Sequence, residues 1–135
     1  MTGDFVFRVL LGHLVGDYLL QNNWMALNKK NRLSICCAHC FVYTMSIVVA
    51  ILPELSTCKN TILISGLIFL SHILFDYFDI IEHYLRLIRG HSWMNALADI
   101  HNNLNIAYTA LVQTVADNTA HLLLMYFIFK YLLFN

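Results

Sequence analysis

The sequence is poor in the residues that make loops and soluble surfaces. One proline and five glycines in 135 residues leave little material for β-sandwiches or long turn-rich connections. Charged residues make up only 12%, about half the ~25% of a soluble globular domain. The formal net charge is zero, so there is no basic footprint for nucleic acid. Ser34 to Leu52 carries no charged residue at all. What fills the chain instead is apolar: 59% hydrophobic residues and a mean hydropathy of +0.64. The length suits one domain, residues 1–135. The expected class is a polytopic helical membrane protein, with membrane lipid as its surroundings.

The four cysteines, Cys36, Cys37, Cys40 and Cys58, do not read as a disulfide framework. Three fall within about one turn of a single helix, where bridging is geometrically poor. They are expected to fill helix contacts, with Cys37 and Cys40 beside His39 as a minor soft-ligand variant. The first apolar segment carries Arg8, His13 and Asp17 and lacks a small-residue cleavage site, so it is expected as a retained span.

Four spans can be drawn, at about 5–21, 34–52, 61–78 and 106–134, against the roughly 20 apolar residues a span needs. Asn22–Leu33 is polar and basic, with Trp24 where an interfacial anchor would sit. Pro53–Asn60 is a short turn. The segment 79–105 is a long insertion in which Ile80, Ile81, Tyr84, Leu85, Leu87 and Ile88 form one apolar helical face, closed by Arg86, Arg89 and Gly90. It reads as an amphipathic helix on the membrane surface, with Trp93 at the same interface. Five lysines and arginines in the two polar connections, against three on the opposite face, orient both termini outside.

A repeat ties the spans together. LGHLVGDYL, from Leu11, and LSHILFDYF, from Leu70, match in type at nearly every position. Each precedes an antiparallel span bearing one histidine, His39 or His121. The all-α fold is therefore expected to be a four-span bundle built as a duplicated helical hairpin, with any site between the copies.

The polar residues inside these spans carry the chemistry. His13, Asp17 and Gln21 recur at i, i+4 and i+8, so an α-helix stacks them on one face. His72 and Asp76 repeat the spacing, and Gln113, Asp117 and His121 reverse it in the antiparallel span. Each aspartate thus lies nearer the inner face and each histidine about one turn, ~6 Å, deeper. His39 lies roughly 9 Å into its span by the same rise. Seven ligand-type residues, His13, Asp17, His39, His72, Asp76, Asp117 and His121, fall in one slab. Buried polar groups in so apolar a setting need a partner or a cation. Imidazole with carboxylate suits zinc, manganese or iron, and seven candidates allow one or two ions. Gln21 and Gln113 are placed to orient the aspartates. A single His–Asp pair can equally be an interhelical hydrogen bond. His83, His91 and His101, with Asp79, Glu82 and Asp99, read as a solvated face of the insertion, and Tyr43 as a packed aromatic near the site.

HLVGDYLLQ, the Ala38-His39 pair, the His72–Asp76 spacing and the late DNTAHLLLM resemble the bacterial and bacteriophage membrane proteins grouped as domain-of-unknown-function family 3307. The resemblance covers nearly the whole chain and implies a multi-span protein of the bacterial, or phage-host, inner membrane; in such a membrane the charge count above would make both termini periplasmic. Members commonly show DQxxH in the last helix; here Asn118 replaces the glutamine. There is also a distant analogy to membrane-bound metal-dependent hydrolases.

The functional expectation is metal-dependent hydrolysis of a membrane-associated phosphoester or lipid-linked substrate, with Asp17 or Asp76 as general base. The rivals are a non-catalytic phage or bacterial membrane protein whose metal is structural, acting on a host partner, and an ion or proton transporter. A homo-oligomer is compatible with each.

Overall fold

The computed structural model describes residues 1–89 and 103–134, and among them all regular structure is helical, with no strand. The all-α class stands. Helix α1 is Gly3–Leu14, followed by a π-helical turn at Val15–Leu19; α2 is Asn23–Asn28, α3 Leu33–Ala50, α4 Leu52–Leu55, α5 Thr61–Phe78, α6 Ile80–Arg89 and α7 Asn103–Leu132. Helix α3 lies between α1 and α5, and α5 packs in turn on α7.

Local chemistry explains most of the boundaries. Thr2 opens α1 by accepting the Phe5 N–H at 3.3 Å, and Asn22 opens α2 by accepting the Met25 N–H at 2.8 Å. Helix α5 ends at Asp79 with φ 51°, a left-handed position that aspartate tolerates better than most residues. That turn sends α6 back over the end of α5, where it packs on α5 and α7.

One expectation needs correction. An unbroken α-helix from residue 5 to Gln21 does not form: the regular helix ends at Leu14, and the Leu20 N–H reaches back to the Val15 carbonyl at 2.9 Å. Gln21 lies beyond the helical stretch. The same segment presses closely on α3. A Cβ on Gly12 would stand 2.9 Å from Ala50 Cβ, and one on Gly16 would stand 3.0 Å from both Cα and Cδ2 of Tyr43. These two glycines, four residues apart, let the helices approach as small residues do in tightly packed pairs. Single-turn π segments of this kind gather at functional sites.

Helices α3 and α5 are long and apolar enough to cross a membrane. Helix α7 is 30 residues long, about 45 Å at the α-helical rise. Helix α6 occupies the place of the expected surface helix and leaves Leu87 85% exposed, with Tyr84 and Ile88 exposed beside it. Gly90, His91, Trp93, Asp99 and His101 lie outside the described residues.

The interior is divided into two halves. At one end, Phe5, Val9, Ile47, Ile51, Ile64, Ile68, Met125 and Phe129 form an apolar core. There the Phe5 ring meets Phe129 and Phe134 edge-on at 5.3 and 4.8 Å. Arg8 ties this end of α1 to α4, donating to the Ala50 carbonyl at 3.1 Å and to the Glu54 carboxylate. The Glu54 carboxyl is held below its ordinary pKa by that arginine. The other half holds the histidines.

Candidate metal centre

Helix direction decides which side chains meet. Helices α3 and α7 run opposite to α1 and α5, so the polar half combines the C-terminal parts of α1 and α5 with the N-terminal part of α3 and the middle of α7. His13, His39 and His72 are fully buried, and His121 and Asp76 nearly so. The side chain of Asp17 is 12% exposed and that of Asp117 35%.

The tightest group is built on two imidazoles. His39 Nε2 and His72 Nε2 lie 3.0 Å apart. Asp76 Oδ2 stands 3.2 and 3.4 Å from them, and Asp17 Oδ1 3.3 and 3.2 Å. Two triangles of nitrogen and oxygen therefore share the His39–His72 edge. Ligands bound at 2.0–2.1 Å around one tetrahedral ion stand about 3.3 Å from one another, close to these edges. Beside this group, His121 Nε2 lies 3.7 Å from Asp117 Oδ2 and 3.9 Å from Asp76 Oδ1. Three overlapping donor sets follow: Asp17, His72 and His121; His39, His72 and Asp76; and Asp76, Asp117 and His121.

Six of the seven expected ligands are thus brought together. The seventh, His13, is employed differently. Its Nε2 donates to Asn118 Oδ1, and its Nδ1 lies 2.9 Å from the Tyr43 hydroxyl, which also reaches Met125 Sδ at 3.5 Å. Asp17 Oδ2 is 3.5 Å away. His13 therefore belongs to a hydrogen-bond chain behind the donor sets, continued from Asn118 Nδ2 to the Tyr18 hydroxyl and the Thr114 carbonyl. His72, in the similar stretch LSHILFDYF, faces the cluster itself, so the two stretches use their histidines unequally.

Tyr43 does more than pack. Its ring stacks on His72 at 3.7 Å with an interplanar angle of 17°, and its hydroxyl engages His13. This contact, rather than a hydrogen bond at Nδ1, orients His72: Nδ1 of His39 and of His72, like Nε2 of His121, is buried without a hydrogen-bond partner among the described residues. Such orphaned atoms cost about 1–3 kcal/mol each.

Lys29 is the residue that sequence reasoning placed elsewhere. It belongs to a connection that reads as polar and basic, yet its side chain is 15% exposed and Nζ sits 2.6 Å from Asp76 Oδ2. Burial alone would lower its pKa, but the Asp76 carboxylate raises it above the ordinary lysine value. Lys30 similarly pairs with Asp79. Asp79 and Glu82, expected on a solvated face, instead help line a cavity of about 320 Å³, because the turn at Asp79 folds α6 over the site. Asp17, Asp76, Asp117, Lys29, Lys30, Gln21 and Gln113 also line it. Both expected glutamines thus reach the cavity, with Gln21 Oε1 buried and without a hydrogen-bond partner among the described residues. His83 is exposed and its Nδ1 meets the Asp79 carbonyl at 2.9 Å, in keeping with a surface role. None of the three donor sets includes a cysteine; Cys36 and Cys40 instead face each other at 3.8 Å between sulfurs.

The molecule is an all-α protein with histidine and aspartate gathered in one half of its interior. A family model described as Protein of unknown function (DUF3307) matches residues 5–134, and the chain belongs to that family. No curated protein and no solved structure matches it.

Proposed function

We propose that this is a four-span membrane protein of the bacterial inner membrane that holds a divalent transition metal and hydrolyses a membrane-associated phosphoester or lipid-linked substrate. The single observation that carries the metal is the meeting of His39 and His72 through their Nε2 atoms, with Asp17 and Asp76 oxygens at 3.2–3.4 Å from them. Among the described residues these nitrogens have only one another and the Asp17 and Asp76 oxygens as partners, the latter at the long end of hydrogen-bond distance. Zinc, manganese or iron would satisfy His39, His72 and Asp76 at once and leave a coordination position open beside Asp17.

Membrane placement is supported by the outer faces of the helices. Val49 is 70% exposed, Ile62 89% and Leu111 61%, whereas soluble proteins rarely display large contiguous apolar surface. Helix α1 and helix α7 would complete the four spans around α3 and α5. The polar half, adjoining the two basic connections, would then face the cytoplasm.

Each side chain has a task in this reading. His39, His72 and Asp76 hold the ion. A bound ion supplies Lewis acidity and lowers the pKa of its water from 15.7 toward about 7. Both oxygens of Asp76 are engaged, with His39, His72 and Lys29 on one and His121 on the other, so it serves as a ligand. Asp17 touches both imidazoles and also lines the cavity; it is the carboxylate placed to take a proton. The open cavity favours catalysis over a closed structural ion. The apolar core filling the other half of the bundle offers no continuing polar path for transport.

The test is release of phosphate from lipid phosphoesters by the protein in nanodiscs, stripped of metal and then reloaded with zinc or manganese. Release is expected only after reloading, and His72→Ala should abolish it. Metal-loaded protein that hydrolyses none of these lipids would leave the ion a structural role.

A further inference from the structure

The Asp76 carboxylate has two faces, and they look at different donors. Its Oδ2 lies 3.2 and 3.4 Å from His39 and His72, while its Oδ1 lies 3.9 Å from His121 Nε2. His121 is 3% exposed and its Nε2 has no hydrogen-bond partner among the described residues, although Asp117 Oδ2 stands 3.7 Å away. A buried imidazole nitrogen without a hydrogen-bond partner among the described residues, within 4 Å of two carboxylates, is a donor set suited to a cation rather than a packing contact.

We propose that the chain binds a second divalent cation, held by His121, Asp117 and Asp76 Oδ1, with Asp76 bridging it to the ion at His39 and His72. The inference rests on the metal reading above and extends it. Carboxylate bridges of this kind set two ions about 3.5–4 Å apart, where both can act on one phosphoryl group.

Charge supports the second ion independently of geometry. Among the described residues, five carboxylates line the cavity against two lysines, an excess of three negative charges. One divalent ion leaves the cavity still negative, and a phosphate group would be repelled. A second makes it net positive, so an anionic substrate is accepted only when both are bound. The second position is the weaker one, because Asp117 is the most exposed of the ligands, at 35%.

The experiment is a manganese titration of metal-stripped full-length protein in nanodiscs, following bound Mn²⁺ by equilibrium dialysis and electron paramagnetic resonance. Two ions per chain are expected, the second binding at least about tenfold more weakly, with the exchange coupling of a close pair appearing as it fills. Asp117→Asn, nearly isosteric, should keep the first ion and lose the second together with the coupling. His121→Ala should do the same. A single uncoupled ion in the unaltered protein, or two coupled ions in Asp117→Asn, overturns the second position while the first stands. No bound ion at all overturns both.

Discussion

Replacing Lys29 by methionine isolates the role of the metal from that of ordinary packing. The ammonium lies 2.6 Å from the same Asp76 oxygen that faces His39 and His72. It thus neutralises a carboxylate 5% exposed, which without it would be left with imidazole partners alone. Surface pairs contribute 0–1 kcal/mol and breaking a fully buried one costs 3–5 kcal/mol, so this partly buried pair should be worth about 2–3 kcal/mol. The metal-free variant should therefore melt earlier. A cation on Asp76 replaces the missing charge, so most of the loss disappears in the loaded protein. By linkage, metal affinity should rise by about 30- to 140-fold. Melting in detergent with and without zinc reads both effects, and the variant should show the larger metal-induced shift. A variant that loses zinc affinity would refute the reasoning, since Lys29 would then be supporting the donors rather than competing for one of them.

The remaining predictions concern the frame around the centre. Gly16→Ala places a Cβ 3.0 Å from Tyr43 and should lower stability by about 1–3 kcal/mol; because Tyr43 stacks on His72, metal affinity should fall with it. Tyr43→Phe leaves His13 Nδ1 without its 2.9 Å partner and should cost about 1–3 kcal/mol in detergent melts, whether or not metal is present. The Glu54 carboxyl is held below its ordinary pKa by Arg8, so its contribution is present above the ordinary carboxylate range and lost as pH falls through the folded value. A melting-temperature profile should decline on the acid side, and Glu54→Gln should flatten that decline.

Much of the candidate site was legible because helical geometry is strict. The spacing of His72 and Asp76, reversed in Asp117 and His121, fixed both their face and their depth before any contact was known. The bounds of α5 and α3 followed from apolar length in the same way. The π-helical turn was not legible, and neither was the close approach beside it: Gly12 and Gly16 look like ordinary helix glycines until α3 is laid against them. Lys29 was hidden by its own length, because a polar connection does not reveal where a four-carbon stem will place its charge. In the sequence Asn118 stands out only as a departure from DQxxH. Its contact with His13 shows what that position reaches, and why His13 turns away from the donor sets that His72 enters.

The most direct measurement is the metal content of the full chain purified in detergent at neutral pH, by elemental analysis before and after chelation and reloading. Zinc, manganese or iron should be retained at one or two ions per chain, removed by chelator and restored on reloading. His39→Ala and His72→Ala should lose most of it, while His83→Ala, altering an exposed residue outside the donor sets, should lose none. An unaltered protein that neither retains nor rebinds metal would contradict the account and leave the histidines and aspartates as a hydrogen-bond network.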